Sequence, residues 1–314
     1  MAYGLATWKN TSGGLSTDVD ESMREDLLDI ITDVSPDDNP LATILGKSTA
    51  SQPIHQWLED YISRKSSQST SVEGAAATYA DLNAPVRRAN SCEIIEQTYR
   101  VSGTELDTTQ AGMGNPLDYQ AGKALREWKN QLEYDIINGA LASGSSGVAR
   151  TMAGLKSVIT SHFTSRNSGS SLSESGFNNL VKLVWDDVGH SDVFDTVLTT
   201  FQLKQKMSTF TAGSTKYVDA TDKRLTRPVE VYESDGGVHR LFAHKDVPTA
   251  ATTPGPQLIG IKEDKWKLAY LRPPKRERLS KDGDRENGHV IGEVTLEFLA
   301  ERTSVRAGGY AQDG

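Results

Sequence analysis

Residues 63–90 read SRKSSQSTSVEGAAATYADLNAPVRRAN. Val72, Tyr79, Leu82 and Val86 are the larger apolar groups in this run of Ser, Thr, Ala and Gly. They are too few to offset the entropy of ordering the segment by itself. A long irregular connection is unusual inside a compact domain. The stretch is therefore either disordered or an extended arm that takes its contacts from another molecule. On either side, Ile54–Ile62 and Cys92–Val101 are rich in β-branched and aromatic residues and read as strands.

Beyond this arm lies the strongest helix signal in the chain. After the punctuation at Gly112–Pro116, Ala121, Leu125, Trp128, Leu132 and Ile136 form a stripe at three- and four-residue steps. Lys123, Arg126, Glu127, Lys129, Asn130 and Glu133 are expected on the remaining surface. About 26 helical residues would give a rod of roughly 40 Å, long for a small domain. Gly and Ser from 143 to 171 loosen the chain, with Met152–Phe163 as a short packed segment.

Ser171 or Ser173 caps a further expected helix striped with Phe177, Leu180, Val181, Val184 and Val188. Val193–Thr199 suits a buried strand, and Leu203, Met207 and Phe210 suggest another helix. Val229–Phe242 alternates around Ser234-Asp235-Gly236-Gly237, a tight-hairpin signal. Together these make an α/β module. After the linker Pro248–Pro256, strands are expected at Leu258–Ile261, Trp266–Leu271 and Val290–Arg306. At the other end, residues 1–15 are small and polar, and Met23, Leu27, Ile30 or Ile31, and Val34 predict a helix over 20–34 that Pro36 stops.

The 314 residues suffice for two domains, and 36% hydrophobic content favours several modest cores over one large one. Apolar runs are too short to span a bilayer, and the N-terminus lacks the plan of a signal peptide, so a soluble protein made in the cytoplasm is expected. The net charge of −8 is uneven. Residues 18–38 hold nine acids, among them Asp26, Asp29 and Asp33, against Arg24. Residues 262–281 hold eight bases, among them Lys275, Arg276 and Arg278, against three acids. The two stretches could pair between neighbours or be two solvated faces.

The search for chemistry finds no catalytic, cofactor-binding or metal-binding constellation. The six histidines lack paired helical spacing for zinc, and His239 and His244, five apart, would point to opposite faces of a strand. Cys92 is the one cysteine, which excludes an intrachain disulfide, and no motif sets a base beside it. There is no GxGxxG, GxxxxGK[ST] or GxSxG, and Gly213-Ser214-Thr215-Lys216 reads as loop punctuation. The basic stretch lacks interleaved aromatics for base stacking, so only weak, non-specific contact with nucleic acid is expected.

The order of tail, arm, long helix, α/β module and closing strands resembles the tailed-phage major capsid fold, an α+β architecture of N-arm, E-loop hairpin, spine helix, P-domain sheet and A-domain. The resemblance is carried by Asn39-Pro40-Leu41; His55-Gln56-Trp57; Arg88, Asn90, Ile94 and Val101-Ser102-Gly103-Thr104; Ala111-Gly112; Leu132-Glu133-Tyr134-Asp135; Tyr232-Glu233-Ser234-Asp235-Gly236; and Trp266–Pro273. Leu279, Lys281, Gly283-Asp284 and Thr295-Leu296-Glu297 extend it. It implies an N-arm at 1–50, an E-loop at 51–104, a P-domain at 105–170 and 256–314, and an A-domain at 171–255. It also implies copies assembling as hexamers and pentamers into a shell around double-stranded DNA. A scaffolding protein, a portal and a decoration protein are the implied partners; no membrane is among them. An encapsulin-like compartment for a cargo enzyme shares the fold and stays open, as does a hydrolase or surface-binding protein that mimics the segment order.

Contacts between copies are expected from Tyr79, Leu82, Arg87 and Arg88 on the E-loop, and from Lys275, Arg276 and Arg278 meeting Asp26, Asp29 and Asp33. The absence of a scaffold-like helical extension before the N-arm implies a separate scaffolding protein or a removed leader. Some capsids of this fold join subunits by a lysine–asparagine isopeptide bond. Here Lys65 and Glu73 lie in the E-loop, yet nothing positions an asparagine acceptor, and cross-linking is not expected.

Overall fold

The computed structural model describes residues 39–62, 68, 70–77, 79, 84–108, 114–210, 231–248 and 257–311, side chains at 166–169 excepted. The acidic helix expected at 20–34, with Asp26, Asp29 and Asp33, lies outside the described residues, as do Lys65 and Leu82. In chain order the strands are β1 Gly46–Thr49, β2 Ile54–Glu59, β3 Val86–Ser91, β4 Glu93–Ser102, β5 Phe163–Ser170, β6 Thr196–Thr199, β7 Val231–Ser234, β8 Gly237–Ala243, β9 Gln257–Ile261, β10 Trp266–Leu279, β11 Arg285–Phe298 and β12 Val305–Tyr310. The helices are α1 Pro40–Ile44, α2 Gly103–Asp107, α3 Pro116–Asn138, α4 Leu155–Val158, α5 Glu174–Val188 and α6 Phe201–Phe210.

The long helix α3 is the expected spine. Asn115 caps it by accepting from the Leu117 amide, Pro116 occupies the first turn, where no backbone donor is needed, and Gly139 ends it. Its 23 residues make a rod of about 35 Å. Ala121, Ala124, Trp128, Leu132 and Ile136 are buried, whereas Leu125, expected in the stripe, faces out. The buried row lies on a four-stranded sheet ordered β1-β10-β11-β4, and the Trp128 indole donates to the Ile95 carbonyl of β4. The helix can come this close because β11 carries Gly292 beneath it, where a Cβ would sit 2.7 Å from the Trp128 ring; Gly288 instead makes room for the ring of its cross-strand partner Tyr99 on β4.

β10 and β11 pair antiparallel over 14 residues each, with register shifts between Tyr270 and Lys275. Pro273 and Pro274 sit there and cannot donate to the ladder, so the pairing breaks and resumes. The strand expected at 266–271 thus runs on to Leu279.

The second layer is a six-stranded mixed sheet, β5-β12-β9-β6-β8-β7, covered by α5 and α6 through Phe177, Leu180, Val181, Val184, Leu203 and Met207. Ser173 caps α5, and β7–β8 form the expected hairpin. The sheet also takes in β9 and β12, which the sequence grouped with the closing strands: their buried Leu258, Val305 and Ala307 belong to the same core as Phe177. The strand expected over 290–306 is interrupted by buried Glu301, which accepts from the Thr160 and Ser161 amides and the Ser161 hydroxyl. Turning to make those bonds ends β11 and sends β12 into the other sheet.

The strand that pairs with β2 lies in the stretch that reads as irregular from the sequence. β2 pairs antiparallel with β3, not with the segment Cys92–Val101. That segment is β4, the edge of the spine-bearing sheet, because Ile95, Tyr99 and Val101 bury on the spine side. The projecting arm is therefore the ribbon β2–β3 and the residues between its strands.

Candidate assembly surfaces

The ribbon β2–β3 is a separate two-stranded sheet. Its root is fixed by Asn90, which is 1% exposed. The Asn90 amide nitrogen donates to the carbonyls of Ala153 and Leu296, and its oxygen accepts from the amides of Ser91 and Ala153. Trp57 meets Phe298 edge-on with ring centroids 4.8 Å apart, and His55 lies 3.3 Å from Glu297. Beyond this root the ribbon presents apolar groups outward: Leu58 is 67% exposed, Ile62 99%, Val72 79% and Tyr79 93%. The remaining edges of β2 and β3 pair with no strand among the described residues. Unpaired edges and uncovered side chains together make this a surface suited to a partner.

Of the arginines expected on this arm, Arg88 donates to Glu59 across the ribbon at 2.6 Å, whereas Arg87 is exposed. On the basic strand, Arg276 donates to the Tyr99 hydroxyl and to Asp118, Arg272 to Glu293, and Lys275 pairs with Glu277. Arg278 is exposed and makes no ion pair among the described residues. The basic run is thus largely neutralised within its own chain.

Two buried histidines make structural hydrogen bonds. His239 donates from Nδ1 to the Phe194 carbonyl and accepts at Nε2 from Ser234, and burial pushes its pKa down. His244 accepts at Nδ1 from the Asp246 amide, which leaves Nε2–H to donate to Glu133. Glu133, expected on the helix surface, is fully buried: its carboxylate accepts from the Leu41 and Ala42 amides and ties α1 to the spine. Cys92 is buried, and desolvation pushes its thiol up to about 11. Glu93 accepts from the Met152 amide, but burial, with the nearby charge of Asp135, pushes its pKa up to about 7. No cluster of His, Cys, Asp and Glu suited to a metal occurs among the described residues.

Sequence reasoning missed the roles of Asn90, Glu133 and Glu301. The available signal was a polar residue set among apolar neighbours, as Glu133 is between Leu132 and Ile136.

The fold class follows from this geometry: a projecting ribbon, a spine helix on a long-stranded sheet and an α/β module are the tailed-phage major capsid architecture. The cyanophage A-1(L) capsid protein superposes with a TM-score of 0.67 at 10% identity, over 93% of this chain and 97% of that one. The shell protein of the holo-SrpI encapsulin complex from Synechococcus elongatus superposes with a TM-score of 0.59 at 12% identity, over 98% and 94%. The model of the SU10 major capsid protein family matches residues 7–311, and the chain belongs to that family. The major capsid protein of Escherichia phage Phieco32 is 22% identical over 85% of this chain and 88% of its own length.

Proposed function

We infer that this chain is the major structural subunit of a phage head, many copies of which enclose the double-stranded DNA genome. The single observation that carries the reading, beside the family, is the β2–β3 ribbon, whose outer edges pair with no strand among the described residues and which leaves Leu58, Ile62 and Tyr79 uncovered. A neighbouring copy can supply main-chain hydrogen bonds to such an edge and an apolar bed for such side chains.

The division into N-arm 1–50, E-loop 51–104, A-domain 171–255 and P-domain elsewhere serves as the working map, with β4 as P-domain sheet. Tyr79, Leu82, Arg87, Arg88, Lys275, Arg276 and Arg278 are offered as contact residues, with Arg276 also bound to its own Tyr99 and Asp118. Hexamers and pentamers are the proposed intermediates; a scaffolding protein, a portal and a decoration protein are the proposed partners. The role is structural, with no catalytic step, no cofactor and only weak contact with the packaged DNA. Synthesis in the host cytoplasm completes the reading.

Expression of the full chain followed by size exclusion and electron microscopy tests it. Closed shells are the expected result, and a monomer without particles under assembly conditions would overturn it. The fold match to an encapsulin keeps a second reading in view, a compartment for a cargo enzyme; particles from the natural source containing an enzyme instead of DNA would establish it.

A further inference from the structure

The α/β module carries a groove of about 390 Å³ between α5 and the turn of the β7–β8 hairpin, within the range of about 300–1,000 Å³ usual for small-molecule sites. Asn178, Lys182 and Trp185 line it from one face of α5, spaced a helical turn apart, and Asn179 stands beside them. Asp235 and Gly236 close it from the hairpin. Trp185 is 42% exposed, although Val181 and Val184 of the same helix are buried. Its indole is therefore held in the groove and not in the core.

The walls of the groove are fixed by contacts of their own. Gly236 lies so close to α5 that a Cβ there would sit 2.3 Å from Val181 Cγ1. The Ser234 hydroxyl accepts from the Gly236 amide and donates to His239, which is anchored in turn on the Phe194 carbonyl. Asn179 and Asp235, by contrast, are exposed and make no side-chain hydrogen bond among the described residues. A rigid frame that holds an indole and unpaired polar groups side by side has little ordering left to do when a ligand arrives.

We propose that this groove binds a neutral saccharide. Three features of its residues select that class. Trp185 offers a flat apolar surface against which the C–H face of a pyranose ring can stack. The Asn amides donate and accept and the Asp235 carboxylate accepts, which matches adjacent sugar hydroxyls, each at once a donor and an acceptor. The charge disfavours an anion: Lys182, the one cation in the lining, is paired with Asp186 at 2.7 Å, and Asp235 adds an unpaired acid. An apolar ligand fits no better, because it would strip water from Asn179 and Asp235 without replacing their hydrogen bonds.

Saturation-transfer NMR on the full-length chain, unassembled and in particles, tests this with N-acetylglucosamine, methyl α-glucoside, methyl β-galactoside and maltotriose as probes. Transfer to the ring protons of at least one sugar is expected, and its binding should be about tenfold weaker in Trp185→Ala and in Asn179→Ala. Both positions are exposed, so the variants should keep the parental circular dichroism. Absence of transfer to every probe, or equal binding by the parent and both variants, would overturn the proposal. Displacement of the sugar by inorganic phosphate would overturn it too, by marking an anion site. Loss of transfer on assembly would give the groove to a neighbouring copy and refute it equally.

Discussion

Asn90 uses both amide hydrogens and both oxygen lone pairs, at the point where the ribbon leaves the body. Replacing it by alanine removes the side-chain partner of the Ser91 and Ala153 amides and of the Ala153 and Leu296 carbonyls at a buried site. Asn90→Ala is therefore expected to destabilise the unassembled subunit by about 3 kcal/mol, since each stranded buried group costs about 1–3 kcal/mol; urea unfolding of the monomer measures it. Glu93 acts in the opposite sense. Its folded pKa of about 7 lies above the ordinary carboxylate value because burial disfavours the charge. The subunit then loses stability as pH rises from about 4.5 to about 7. Glu93→Gln keeps an acceptor for the Met152 amide and removes the charge. The variant is expected to match the parent at pH 4.5 and to melt higher at pH 8, by roughly 3 °C for each kcal/mol relieved. Equal melting temperatures at pH 8 would refute the assignment.

At the scale of elements, Gly292 of β11 sets how closely the spine can lie. A methyl group at Gly292 would also meet the Pro274 Cα at 3.1 Å, so Trp128 has little room to retreat. Gly292→Ala is expected to cost about 1–3 kcal/mol, the usual range for overpacking, with a loss of near-ultraviolet dichroism from the displaced indole. The spine itself was legible in the sequence because its stripe repeats at helical spacing, and so was β7–β8, whose turn residues announce it. The partner of β2 was not. Val86–Ser91 contains Arg87, Arg88 and Asn90 and has little apolar alternation, while the more hydrophobic Cys92–Val101 looks like the better mate. Its hydrophobicity instead reflects burial under the spine, a long-range packing fact that local pattern does not carry. The break before β12 was hidden for the same reason: Glu301 bonds to Thr160 and Ser161, 140 residues away along the chain.

At the scale of the whole molecule, two large cores and one small cluster around Ala50, Cys92 and Ala269 lie among the described residues. The larger joins the spine, its sheet and α1, and the smaller joins α5, α6 and the six-stranded sheet. β10 and β11 belong to the first sheet, and β9 and β12, which flank them in sequence, to the second. The chain passes from one sheet to the other and back, so the two layers are expected to unfold together, as one transition in calorimetry of the unassembled subunit. The candidate contact surfaces were legible only in part. The poverty of apolar residues in 63–90 points to an arm, and the described part of that stretch leaves Val72 and Tyr79 exposed, whereas the basic run that looked available for partners has most of its charges paired within the chain.

The bare margins of β2–β3 carry a practical consequence for anyone handling the protein. A backbone margin does not discriminate by sequence, so it zips to any extended chain it meets, including the wrong strand of a sibling. A copy left idle at high concentration will go off-course into amorphous precipitate, and freshly made, dilute stocks raised quickly to shell-forming conditions will give the cleanest preparations.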